Sequence, residues 1–125
     1  MPLHESGEDY LETILRLKAE KGAVRSIDVA TSMNYSKPSV SRAMGLLREN
    51  GYIIMDKEGW ITLTERGTAV AERIYERHRL LTQWLVSLGV PDDIAAADAC
   101  KIEHDLNPIT FQKIKEHVAS GQKIH

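Results

Sequence analysis

Apolar residues recur with a helical period over residues 7–21, where Tyr10, Leu11, Ile14, Leu15 and Leu17 share one side and Gly22 follows as a stop. Val24 and Arg25 lead into Ser26, an N-cap residue for a short helix carrying Ile27, Ala30 and Met33. Asn34-Tyr35 reads as a turn, and Ser36 caps a third helix that ends near Asn50-Gly51. After Gly51 the period drops to two. Residues 52–55 and 60–64 read as strands around the hairpin signal Asp56-Lys57-Glu58-Gly59. Thr64 caps a long fourth helix with the stripe Ile74, His78, Leu81, Leu85 and Leu88, and Gly89-Val90-Pro91 ends it. Asp92 or Asp93 caps a fifth helix expected to reach about Leu106. Asn107-Pro108 opens a sixth, carrying Ile109, Phe111, Ile114 and Val118, and residues 121–125 read as a frayed tail. The expected fold is mostly α. A winged helix-turn-helix of three helices and a β-hairpin wing occupies residues 1–64, and a helical domain occupies 65–125.

The third helix has two chemically different faces. Val40, Ala43, Met44 and Leu47 form a core stripe, whereas Pro38, Ser39, Ser41, Arg42 and Gly45 fall on the far side, with Ser36 and Lys37 at its start. Hydroxyls and an arginine at the N-terminal end of a helix can meet base edges and phosphates in a major groove, and the helix dipole points at the same phosphates. Lys57 at the tip of the wing adds a phosphate contact. A solvated face without a partner is the plainer reading of the same residues, and the order of elements favours DNA. Composition narrows this further. The 125 residues carry 16 Lys and Arg against 18 Asp and Glu, a net charge of −2, which excludes a uniformly basic coat. Modest charge per subunit favours a dimer sharing one palindromic site. The single cysteine excludes an internal disulfide and an all-thiolate zinc knuckle. With no secretory pattern and no span-length apolar run, a reduced cytoplasmic setting is expected.

The second constellation is a set of metal-ligand types. Cys100, Glu103 and His104 stand at i, i+3 and i+4, so all three are expected on one side of the fifth helix. Asp9 and Glu12 form an i, i+3 pair on the first helix, and His78 places an imidazole in the apolar stripe of the fourth. Taken singly, the acidic pair can serve the helix dipole, His78 can be a core histidine, and Cys100 can be a small hydrophobe. Three ligand types on one face are harder to explain that way. A metal held between the halves would cross-link them, and without it the anionic ligands repel one another.

These residues resemble the diphtheria toxin repressor family of metal-dependent transcriptional regulators, and within it the manganese transport regulator branch. The resemblance runs through Glu8-Asp9-Tyr10-Leu11-Glu12, Ser36-Lys37-Pro38-Ser39-Val40-Ser41, Leu63-Thr64-x-x-Gly67, Arg77-His78-Arg79-Leu80 and Cys100-Lys101-Ile102-Glu103-His104. It implies a winged helix followed by a helical dimerisation domain, without the third, SH3-like domain of longer members. It also implies operator binding as a metal-loaded homodimer. Asp9, Glu12, His78, Glu103 and His104 match ligand positions of manganese-type proteins. Cys100 departs from them, because a Glu is expected there. Cysteine at that place resembles the iron-type proteins, whose N-terminal ligand is a Met where this chain has Asp9. Thr82 stands where the iron-type ancillary site has a carboxylate.

The function expected is therefore a divalent-metal-activated repressor of Mn(II) or Fe(II) uptake genes. Mn(II) or Fe(II) is the expected metal, with Co(II) or Zn(II) as substitutes in vitro, and palindromic double-stranded operator DNA is the partner. The alternatives are a winged-helix regulator answering another ligand, a small metalloenzyme built on Cys100, Glu103 and His104, and a helical interaction module that never meets DNA. No glycine-rich loop or second acid–base set accompanies the triplet, so no enzyme is expected.

Overall fold

Each period in the sequence becomes an element of the computed structural model, which describes residues 5–120. The N-terminal part contains α1 (Glu5–Lys21), β1 (Val24–Arg25), α2 (Ser26–Met33), α3 (Lys37–Glu49), β2 (Ile53–Met55) and β3 (Trp60–Leu63). It is followed by α4 (Glu65–Ser87), α5 (Asp92–Ile102) and α6 (Pro108–Ala119). The mostly helical winged-helix architecture matches the expectation. The tail at residues 121–125 lies outside the described residues. Two compact units divide between Arg73 and Ile74, inside α4 rather than at its start. The reason is packing: Val70 and Ala71, in the second turn of α4, belong to the core of the first unit.

In the first unit, Leu11 and Ile14 of α1 meet Val29 of α2, Val40 and Met44 of α3, and Ile53 and Ile61 of the sheet in one core. Removing each such side chain from water contributes about 1.5–3 kcal/mol. The strand order is β1-β3-β2, antiparallel throughout, with Ile53 opposite Leu63 and Val24 opposite Ile61. The two-residue strand β1 was not legible as a strand, and it changes the cap of α2. Arg25 pairs with Trp60 in the sheet and stacks over its ring at 4.0 Å. Arg25, not Ser26, therefore occupies the N-cap position. Its N–H donates to the Asp28 carboxylate at 2.8 Å, and Asp28 also takes the Lys21 ammonium at 3.0 Å. The backbone bond from Arg25, with the hydrogen bond from Lys21, holds the Asp28 carboxyl below its ordinary range.

Gly67 explains the Thr64-x-x-Gly67 spacing. Thr64 Oγ1 caps α4 by accepting the Gly67 N–H at 3.1 Å and donates to the Gly51 carbonyl at 2.7 Å. A β-carbon on Gly67 would overlap the Tyr52 carbonyl oxygen. Residue 67 is therefore limited to glycine by close approach of backbone to backbone.

The second unit packs Leu81 of α4, Ala99 of α5 and Phe111 of α6, with Trp84, Ile102 and Ile114 against them. Helix α5 departs from expectation at both ends. Pro91 is its N-cap residue, while Asp92 and Asp93 lie in the first turn, where the dipole favours carboxylates. It stops at Ile102 instead of about Leu106, and residues 103–105 form a turn in which the Asp105 N–H reaches Ile102 O at 3.0 Å. Asn107 caps α6 as expected, accepting the Ile109 N–H at 2.8 Å.

Two stability outcomes follow from these contacts. Gly67→Ala should destabilise the chain by about 1–3 kcal/mol, the range for forced overpacking, because a backbone carbonyl cannot rotate away; urea unfolding measures it. Asp28→Asn should cost stability at neutral pH. Because the folded-state pKa of Asp28 is lowered, its contribution is present above the unfolded value of about 4 and is lost as pH falls through the folded value. The stability gap between wild type and Asp28→Asn should therefore hold constant near neutrality and close in acid.

Candidate metal centre and nucleic-acid interface

Helix α3 presents the two faces expected of it. Val40, Met44 and Leu47 are buried, while Ser36, Lys37, Pro38, Ser39, Ser41 and Arg42 are all exposed. The helix starts sharply because Ser36 accepts the Ser39 N–H at 3.3 Å, and Pro38 sits in the first turn, where its missing N–H has no partner to lose. Asn34 turns the chain with φ 58°, and the Tyr35 N–H returns to Ala30 O at 3.0 Å, giving the short α2–α3 connection of a helix-turn-helix. The Ser36 hydroxyl donates to Ser39 Oγ at 2.8 Å, so its proton is engaged within the cap. Ser41, Arg42 and Lys37 carry the open donors of this face, and neither Lys37 nor Arg42 forms an ion pair among the described residues.

The wing tip is ordered by Asp56. Its Oδ1 accepts the N–H groups of Glu58 at 3.0 Å and Trp60 at 2.9 Å, while Gly59 adopts φ 88°. Lys57 is exposed at the tip beside Glu58.

The ligand-type residues fall in both units. In the first, Asp9 is half-buried on α1, with a carboxylate oxygen within 4.8 Å of one of Glu5. Glu12 is buried and pairs with Arg16 Nε at 3.3 Å.

In the second unit, the structure brings four side chains to one place. Glu103 is 1% exposed. Its Oε2 lies 2.9 Å from His78 Nδ1, its Oε1 lies 3.5 Å from His104 Nε2, and one of its oxygens is within 4.8 Å of Cys100 Sγ. His78 is part-exposed, the His104 side chain is almost wholly buried, and Cys100 is exposed. Glu103 and His104 lie just past the end of α5, yet Glu103 keeps helical backbone angles and its N–H reaches Ala99 O at 2.9 Å. The one-sided spacing from Cys100 to Glu103 therefore survives the early helix end. A buried carboxylate flanked by two imidazoles and a thiol is a donor set for a divalent transition metal. A carboxyl group this far from water needs hydrogen-bond donors or positive charge beside it.

Sequence reasoning missed Arg77. It is buried, and its Nη1 donates to Glu103 O and Leu106 O, each at 2.9 Å. The available signal was an arginine standing with His78 inside the apolar stripe of α4.

Comparison with known proteins points the same way. Residues 2–60 match the iron dependent repressor N-terminal DNA binding domain, and residues 64–123 match the iron dependent repressor metal binding and dimerisation domain. The HTH-type transcriptional regulator MntR of Lysinibacillus sphaericus (strain C3-41) is 34% identical over 113 residues, covering 90% of this chain and 81% of that protein. The crystal structure of the metal-dependent transcriptional regulator MtsR aligns with a TM-score of 0.83 at 25% identity, over 90% of this chain and 53% of that one. A manganese-dependent transcriptional repressor solved in complex with manganese aligns with a TM-score of 0.78 at 27% identity, over 90% of this chain and 52% of that one. The chain spans about half the length of these solved chains.

Proposed function

Because this chain belongs to the iron-dependent repressor family of metal-dependent transcriptional regulators, we propose that it represses Mn(II) or Fe(II) uptake genes by binding a palindromic operator as a divalent-metal-activated homodimer. The family consists of repressors, so the metalloenzyme reading of Cys100, Glu103 and His104 falls away. The observation that carries the proposal is the buried Glu103 carboxylate with His78, His104 and Cys100 around it.

The proposed ligands are Asp9 and Glu12 from α1, with His78, Cys100, Glu103 and His104. A divalent cation would supply positive charge to these anionic donors. Asp9 and Glu12 would carry its presence to the DNA-reading unit, since they share that unit with α3. Ser36, Lys37, Pro38, Ser39, Ser41 and Arg42 are proposed to meet the major groove, and Lys57 a flanking phosphate. Exposed Val86, Leu88, Ile94 and Ile109 in the second unit support a subunit contact through apolar surface there. No helix among the described residues is long and apolar enough to cross a membrane. We place the protein in the cytoplasm with its operator.

The test is anaerobic calorimetry of metal binding across an Mn(II), Fe(II), Co(II) and Zn(II) series, with and without operator. A metal activates only as far as it prefers the DNA-competent shape, and by linkage the operator must tighten metal binding by the same factor. Equal metal affinity with and without operator would show a structural metal and no sensor. The docking face is checked separately. Arg42→Ala should cost about 1–3 kcal/mol at its base pair if the contact is bidentate. Lys57→Ala should weaken all sequences alike and lower the salt slope by about 1 per contact. Wild-type binding of both variants to operator and to random DNA would overturn the docking.

A further inference from the structure

Arg77 is 3% exposed, and a guanidinium cannot give up its proton to suit the interior. Both carbonyls it holds, Glu103 O and Leu106 O, belong to the end of α5 and the turn after it. The last turn of a helix leaves carbonyls without intrahelical donors and gathers negative partial charge. A buried fork of N–H groups answers both needs. Its guanidinium carbon also lies 5.1 Å from the centre of the Phe111 ring in α6. One side chain thus fastens α4 to the α5–α6 turn and to α6. The residue after it, His78, reaches the Glu103 carboxylate. Backbone and side chain of Glu103 are therefore anchored by consecutive residues of one helix.

We propose that Arg77 is the positioning residue of the metal centre. By fixing the Glu103 carbonyl it sets where the Glu103 carboxylate stands, and with it the neighbouring His104. The proposal rests on the reading of His78, Cys100, Glu103 and His104 as ligands. Metal ligands act when held to within about 0.5 Å of productive geometry, and the groups that hold them influence affinity nearly as strongly as the ligands do. A clamp that merely stabilised the second unit would behave differently. Its loss would lower the melting temperature and leave metal affinity and metal spectrum unchanged in the folded protein.

The experiment uses the full chain as wild type, Arg77→Met, Arg77→Lys and the control His104→Ala. Each is titrated anaerobically with Co(II) below its own melting transition, by calorimetry and by ligand-field absorption. Arg77→Met is expected to bind Co(II) about 10–100-fold more weakly, the usual effect of removing an outer-shell partner, with a changed absorption band. Arg77→Lys keeps the charge and N–H donors but not the planar guanidinium, and should fall between. His104→Ala should lose most of the binding. Wild-type affinity and spectrum in Arg77→Met, or in Arg77→Lys should the Met variant not fold, beside an impaired His104→Ala, would overturn the positioning role while leaving the ligand set standing. Wild-type Co(II) affinity in His104→Ala would overturn the ligand assignment itself, and this proposal with it.

Discussion

A carboxylate 1% exposed has to be met by positive charge or by donors, because an uncompensated anion away from water costs several kcal/mol. That constraint at Glu103 organises the second unit. His78 and His104 bring imidazoles to its two oxygens, and Arg77 takes its carbonyl. Helix α4 shows the consequence. Its core-facing stripe runs from Ile74 to Leu81, both fully buried, but the turn between them is given to Arg77 and His78. A helix selected for packing alone would carry an apolar side chain there. The polar step in an apolar stripe is thus the imprint of the site on the fold.

The first unit answers a different demand. Helix α3 buries one side and leaves the other covered by small and polar residues. Val40, Met44 and Leu47 make the first, and small residues with Arg42 make the second. The net charge of −2 averages over the whole surface and excludes a uniformly basic coat, not a local basic face. The pieces around α3 are held by local contacts. Asp56 fixes the wing tip, Ser36 fixes the start of α3, and Gly67 lets α4 begin against the Tyr52 carbonyl.

What could be read from the sequence was what depends on period and on local caps. All six helices, the hairpin and the caps at Ser36, Thr64 and Asn107 are of that kind. What could not be read depends on partners distant in the chain. Val24–Arg25 is too short to show a period and becomes a strand only because β3 lies beside it. The cap of α2 then shifts from Ser26 to Arg25. Helix α5 ends at Ile102, and the carbonyls of Glu103 and Leu106 beyond it find a donor in Arg77, distant in the chain. The ligand types at Cys100, Glu103 and His104 were legible from spacing, and His78 only as an imidazole inside the apolar stripe of α4. The burial that singles out Glu103 among them was not, since it is a property of three packed helices.

The unequal burial of the ligand-type residues bears on how a metal would be chosen. Glu103 and His104 are enclosed, so their place is set by the core and any replacement disturbs it. Cys100 is exposed, within 4.8 Å of a Glu103 oxygen, and contributes little to the packing of α5, which rests on Ala95 and Ala99. The softness of the donor set can therefore be altered at residue 100 without rebuilding the unit. A thiolate there favours Fe(II), Co(II) or Zn(II) over Mn(II), and a harder carboxylate would weaken that bias without inverting the affinity order. Enclosed residues would hold geometry while the exposed one tunes identity.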